Sequence, residues 1–186
     1  MLVVKSFLYI GKVEKLYTHI LDTPIFEEDH LRPMTTVKDL IVDPDSGKVL
    51  AIVVNLSKNL VITPNDMSSW GDVITVSGPD VIIDGAEIVR VDQVLKDDVK
   101  IFGNKVVTKK GEELGRVFDF AIDGSTLGLR KIFVAKGFLG LFRYAARIIP
   151  AKDIVEILPD KIVVKASMQA VKEEEREAKM EEAVAG

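Results

Sequence analysis

Short runs of β-branched and aliphatic residues, broken by Pro, Gly, Asp and Asn, fill the chain from Val37 to Val164. Lys48-Val49-Leu50-Ala51-Ile52-Val53-Val54-Asn55-Leu56 reads as a strand, since branched side chains suit a pleated, half-buried surface. It is preceded by Asp43-Pro44-Asp45-Ser46-Gly47, where proline fixes φ, aspartate and serine bond locally, and glycine accepts positive φ. That is hairpin chemistry. Asp123-Gly124-Ser125-Thr126-Leu127-Gly128 predicts a second hairpin, between strands at Leu114–Ile122 and Leu129–Ala135.

The pattern recurs. Val37-Lys38-Asp39-Leu40-Ile41-Val42-Asp43 is matched by Val117-Phe118-Asp119-Phe120-Ala121-Ile122-Asp123. Leu60-Val61-Ile62-Thr63-Pro64 is matched by Arg147-Ile148-Ile149-Pro150, and Asp72-Val73-Ile74-Thr75-Val76 by Asp160-Lys161-Ile162-Val163-Val164. Three blocks in one order are an internal repeat, which sets the architecture before any local assignment. The expectation is all-β: two tandem small β-barrels over 1–92 and 93–166, then a tail over 167–186. Pro64 and Pro150 are placed at equivalent positions, each opening one helical turn before a final hairpin.

The ends read differently. Met1 to Ile10 is apolar, with one lysine and no small-residue cleavage site, and is read as a strand, not a signal peptide. Ser167 to Gly186 is rich in Ala, Glu, Lys and Met, which favours helix. Residues 172–177 are all charged, so no apolar stripe runs through it and a solvated helix is expected rather than a coiled coil.

The residues also carry a resemblance. Gly103-Asn104-Lys105-Val106-Val107-Thr108, Gly111-Glu112-Glu113-Leu114-Gly115-Arg116-Val117-Phe118-Asp119-Phe120, Gly137-Phe138-Leu139-Gly140, Ile149-Pro150-Ala151-Lys152-Asp153-Ile154 and Asp160–Val164 follow one another as in a PRC-barrel domain. That fold is shared by the cytoplasmic domain of the photosynthetic reaction centre H subunit and the C-terminal domain of a ribosome maturation factor. The resemblance covers roughly 99–166. The first module resembles the family from Val37 to Val76, but Pro24 to Thr36 lacks the glycine and the Leu-Gly pair that open the second. The resemblance implies strongly bent barrels that bind or scaffold partners, with no shared reaction and no shared catalytic residues.

Charge adds a division. Residues 1–92 hold 8 Lys+Arg against 14 Asp+Glu, net −6; 93–166 hold 14 against 9, net +5; the tail holds 3 against 6, net −3. Such asymmetry fits either separate partners or an acidic module docking on a basic one. The absence of cysteine removes disulfides, thiolate metal sites and cysteine nucleophiles, and goes with a reducing, cytoplasmic setting. No apolar run reaches the roughly 18–20 residues of a membrane span.

Candidate chemistry is sparse. His19, Asp22, Glu27, Glu28, Asp29 and His30 form the one cluster of histidine and carboxylate, in a spacing that matches no established metal site and reads as a solvated loop. Asp43-x-Asp45-x-Gly47 begins like a calcium loop, but Lys48 and Val54 stand where one needs glycine and a bidentate carboxylate. Asp39 and Asp119 are equivalent acids with no nucleophile nearby in sequence. No catalytic residue, metal or cofactor is expected.

The segment 137–147 holds Phe138, Leu141, Phe142, Arg143, Tyr144 and Arg147, the aromatic and arginine content that binding patches favour. It reads as a loop between strands. Phe138, Leu141 and Phe142 can also be read as a plug for the barrel end. The leading expectation is a non-enzymatic interaction or scaffold protein that meets a protein partner through those six residues. The alternative is a ribosome- or RNA-processing-associated factor acting through the basic module. An overall pI near 5.3 and the lack of a Lys/Arg run with stacking aromatics count against direct nucleic-acid binding. Peripheral contact with an anionic membrane and self-association stay open.

Overall fold

The computed structural model describes the backbone of residues 14–138 and 142–165, and the side chains of those residues outside 137–145. The strand expected over Met1–Ile10 and the helix expected over 167–186 lie outside the described residues.

The chain opens with strand β1 (Glu14–Leu16) and one helical turn, α1 (Tyr17–Ile20). The first module follows: β2 (Pro24–Glu27), β3 (Pro33–Thr36), β4 (Asp39–Val42), β5 (Val49–Asn55), β6 (Leu60–Ile62), a 3-10 turn at Pro64–Asp66, β7 (Met67–Trp70) and β8 (Ile74–Val76). Strand β9 (Ile83–Asp84) and helix α2 (Val89–Lys96) lead to the second: β10 (Lys105–Thr108), β11 (Glu113–Asp123), β12 (Leu129–Phe138), β13 (Phe142–Pro150), a 3-10 turn at Ala151–Asp153, β14 (Ile154–Ile157) and β15 (Lys161–Val164). Helix α2 runs across the boundary expected at residue 92. Among the described residues no helix is long and apolar enough to cross a membrane.

The repeat holds strand by strand. β2 pairs antiparallel with β3 and parallel with β8, as β10 pairs with β11 and β15. β4–β5–β6 repeats β11–β12–β13, and β7–β8 repeats β14–β15. Even the bulge recurs: Ile25↔Thr35 then Phe26↔Pro33 echoes Val106↔Gly115 then Val107↔Glu113. The first module therefore does have its opening strand pair, although Pro24 to Thr36 lacks the glycines. Asp22 takes the positive φ (61°) that Gly103 takes (78°) at the matching place, and each donates its N–H to Val37 or Val117 respectively.

Asp39 and Asp119 fall on equivalent positions, opposite Val53 and Phe133. Pro64 and Pro150 do not. Ile62 pairs with Ile52 as Ile149 pairs with Ile132, so Pro150 matches Thr63 and the prolines are one residue apart. Thr63 and Pro150 each cap a 3-10 turn, and proline serves both as cap and as first residue because its missing N–H is not needed at either.

Among the described residues no sheet closes on itself as a complete barrel. The second sheet is an open path, β13-β12-β11-β10-β15-β14, with β1 added on β11. The first module divides into β3-β2-β8-β7 and β4-β5-β6-β9. The division falls at Val37-Lys38, between β3 and β4, where β11 runs unbroken through Val117-Phe118, although Val37 and Val117 make the same bond, to Thr23 and Asn104. β11 stays whole because Gly115, at φ 128°, passes close to β12; a Cβ there would lie 2.3 Å from the Ala135 carbonyl oxygen. Only glycine fits such an approach.

One apolar core joins the modules. Ile25, Ile52, Ile62 and Ile74 from the first pack in the same cluster as Val106, Ile122, Ile132 and Ile162 from the second, all fully buried. Each such isoleucine contributes about 1.5–3 kcal/mol on burial. The two hairpin turns also bond to each other: Val49 N–H donates to Leu127 C=O (2.9 Å) and Leu129 N–H to Gly47 C=O (2.7 Å). Gly47 and Leu127 are equivalent, so this pair of bonds marks a pseudo-twofold axis. Opposite charge meets there only modestly. Glu14 approaches Lys131 at 2.6 Å and Arg130 at 3.8 Å, while the rest of the join is largely apolar.

Candidate functional site

Two regions bring polar chemistry together. The first surrounds α1, close to the pseudo-twofold axis. Tyr17 is buried and its ring stacks on Phe120, centroids 4.6 Å apart, with Phe102 tilted at 5.2 Å. Its hydroxyl donates to Asp39 Oδ1 at 2.8 Å. The next residue serves the other module's equivalent acid: Thr18 donates to Asp119 through its N–H (3.2 Å) and its hydroxyl (2.6 Å). Each aspartate also accepts the N–H of its successor, Leu40 at 2.7 Å and Phe120 at 2.8 Å. Burial first, then the charges of Asp39 and Asp119, push the Tyr17 phenol well above its ordinary range.

Asp39 and Asp119 thus act as acceptors that pin α1 to both modules. Sequence reading saw the equivalence of the acids but missed Tyr17 and Thr18. Their partners lie 22 and 101 residues away, beyond any local pattern. A cavity of about 90 Å³ lies beside Tyr17 and Asp39, walled by Val99, Ile101 and Phe102. The residue there that matches Thr18 is Val99, which brings no hydroxyl to Asp39.

The histidine–carboxylate segment is spread out. His19 lies on α1, at the rim of an open depression with Glu14, Trp70 and Asp72. His30 is exposed and approaches Glu27 at 3.3 Å, and Asp22 holds Lys38 at 2.9 Å. Among the described residues no three His, Asp or Glu side chains are grouped to share a metal ion. Asp43 and Asp45 form the predicted turn and are both bound by Arg90 of α2. Burial pushes the Asp43 carboxyl up, but Arg90 and Ser46 outweigh it and hold it below the usual range. At the equivalent turn the N–H groups of Thr126 and Ser125, against the opposing effect of burial, hold Asp123 low as well. Trp70 is half-buried against the core.

The second region is the β12–β13 hairpin, which holds the six residues singled out for partner binding. The expected loop is mostly strand. Lys136↔Tyr144, Gly137↔Arg143 and Phe138↔Phe142 continue the ladder, because alternating aromatic and small residues sustain pairing as readily as a turn. In the first module the matching hairpin ends at Asn55↔Leu60. The second thus carries three further pairs. Among the described strands β13 is the outermost of its sheet, whereas β6 is covered by β9 through Leu60↔Asp84 and Val61↔Ile83. Ile148, on β13, is 61% exposed, and Arg147 is half-buried with Nη1 lacking a partner among the described residues. The side chains of Phe138, Phe142, Arg143 and Tyr144, and all of Leu141, lie outside the described residues, so the choice between partner surface and plug does too.

The topology, the repeat and the bulged opening hairpin agree with a comparison to family models. The model of the PRC-barrel domain matches residues 12–83 and again 96–169. The chain belongs to the PRC-barrel family. Both copies of the PRC-barrel pattern include the opening pair that the sequence placed in doubt for the first module. No curated protein matches the chain.

Proposed function

We propose that this tandem PRC-barrel protein is a non-enzymatic scaffold that holds a protein partner on the extended β12–β13 hairpin. The observation that carries the reading is the contrast between equivalent hairpins. The second runs three pairs beyond the first, in sequence rich in aromatic and arginine residues, and its outer strand bears no neighbour among the described strands. An open strand edge offers unpaired N–H and C=O groups to an incoming strand, with side chains for specificity. A fold that needed only its core would end this hairpin where β5 and β6 end. The non-enzymatic part is supported by Asp39 and Asp119, whose oxygens serve α1 and their own backbone.

The test is capture from native lysate, with and without nuclease treatment, by the full chain and by Phe142→Ala/Arg143→Ala. The reading predicts a protein captured by the wild type and lost by the double variant at nearly unchanged melting temperature. Equal capture by both overturns it. So does capture that disappears on nuclease treatment, which favours the RNA-associated alternative. A melting temperature lowered by a core-sized loss, about 3–5 kcal/mol for a buried aromatic, assigns the hairpin tip to packing instead.

A further inference from the structure

The repeat gives Asp39 and Asp119 the same place but not the same donors. Both oxygens of Asp119 are taken: Oδ1 accepts the N–H groups of Thr18 and Phe120, and Oδ2 accepts the Thr18 hydroxyl at 2.6 Å. Asp39 receives the Tyr17 hydroxyl and the Leu40 N–H, both on Oδ1, and its Oδ2 has no donor among the described residues. The matched turns at Asp22 and Gly103 put Val99 where Thr18 stands. Valine has no hydroxyl, and the Val99 N–H goes instead to Val94 C=O at the end of α2, at 3.3 Å. Asp39 and Val99 both line the cavity of about 90 Å³, so the cavity lies where the missing donor belongs.

The walls select the donor. Tyr17, Phe102 and Phe120 bring three aromatic rings to the cavity, with Leu40 and Ile101 beside them. The volume suits several waters or the end of an aliphatic chain. A carboxylate oxygen without a donor binds a hydrogen-bonding cation more strongly than a neutral group. Aromatic rings add attraction for an ammonium, while its methylene stem meets the apolar walls. A metal ion lacks ligands, since among the described residues no three His, Asp or Glu side chains are grouped. The chain's own cation at the cavity is Lys100, but its ammonium is directed to Asp98 at 2.6 Å. Phe102 is 46% exposed, which puts the cavity at the surface.

We propose that this cavity binds an aliphatic primary ammonium group, with Asp39 Oδ2 accepting from it as Asp119 Oδ2 accepts from Thr18. A free alkylamine and a lysine side chain of a partner both present this group. None of the walls lies on β12 or β13, so the site stands independently of the hairpin reading.

The probe is n-butylammonium, titrated into the full chain at constant ionic strength and followed through the amide NMR signals of Leu40, Val99 and Ile101. The proposal expects saturable shifts in the millimolar range. Butanol, the neutral counterpart, should bind weaker by about tenfold or more, the loss of one charge-assisted hydrogen bond. Asp39→Asn should weaken butylammonium by a similar factor. Val99→Thr keeps the acid, has nearly the shape of valine and supplies a hydroxyl at the place of Thr18. It should weaken binding too, and it serves where Asp39→Asn fails to fold. A blocked Gly-Lys-Gly peptide separates the sources. Binding as tight as butylammonium assigns a partner's lysine, and binding of the free amine alone assigns a small molecule. No saturable shift, equal binding of butanol and butylammonium, or binding unchanged by both variants overturns the proposal. So does binding seen only in Lys100→Met, which makes the chain's own lysine the occupant.

Discussion

At the residue scale, the repeat is built from equivalent residues given unequal tasks. Asp39 and Asp119 are the same acid twice, yet one accepts a phenol and the other a threonine. Tyr17→Phe should lower stability by about 1–2 kcal/mol in denaturant melts, because it leaves a partly buried acceptor short of a hydrogen bond. The raised Tyr17 phenol adds a pH effect. Its contribution is present below about pH 10, the unfolded value, and is lost as pH rises through the higher folded value. Wild type should therefore lose stability above about pH 10 more steeply than Tyr17→Phe, and equal slopes contradict the assignment. The depressed carboxyls of Asp43 and Asp123 act at the other end. Their contribution holds above about pH 4 and fades as pH falls through the folded values, so Asp123→Asn should flatten the acid limb of a stability–pH curve. Gly115→Ala should cost more than about 1 kcal/mol, since positive φ and the Ala135 carbonyl both oppose a side chain.

At the element scale, strands and hairpins were legible where the cause is local. Pro44 to Gly47 and Asp123 to Gly128 announce their turns through residue chemistry, and Asp43 and Asp123 make the expected local bonds. The register of Pro64 and Pro150 was misread by one residue, because both prolines satisfy the same turn from neighbouring positions. The opening pair β2–β3 was obscured because aspartate, not glycine, takes positive φ at Asp22 and Asp29. Helix α2 was not foreseen: its two inward valines, Val91 and Val94, are too few to set a helical period. Val91→Asp should strip α2 from Ile41 and Val53, and protease cleavage near 89–96 should rise well above wild type while β12–β13 stays protected. Unchanged cleavage would mean that α2 is held by Arg90 alone.

At the scale of the whole molecule, the sequence showed two modules but could not show that they share a core. Alternating strands say which residues face inward, not which module supplies the other wall. The charge division pointed to electrostatic docking, and the join proves mostly apolar, with Glu14 its main ion-pair contact. Raising salt should thus leave the melting temperature nearly unchanged, since screening acts on exposed charge and not on buried isoleucine. The segment 137–147 stood out by composition alone, and aromatic and arginine content does not reveal that it continues a ladder. The central claim is that both PRC-barrel modules form one body around Ile52, Ile62, Ile122 and Ile132. Differential scanning calorimetry of the full chain tests it most directly. The account predicts a single transition whose van't Hoff and calorimetric enthalpies agree. Two resolved transitions, or a calorimetric enthalpy about twice the van't Hoff value, would show modules that fold independently and contradict it.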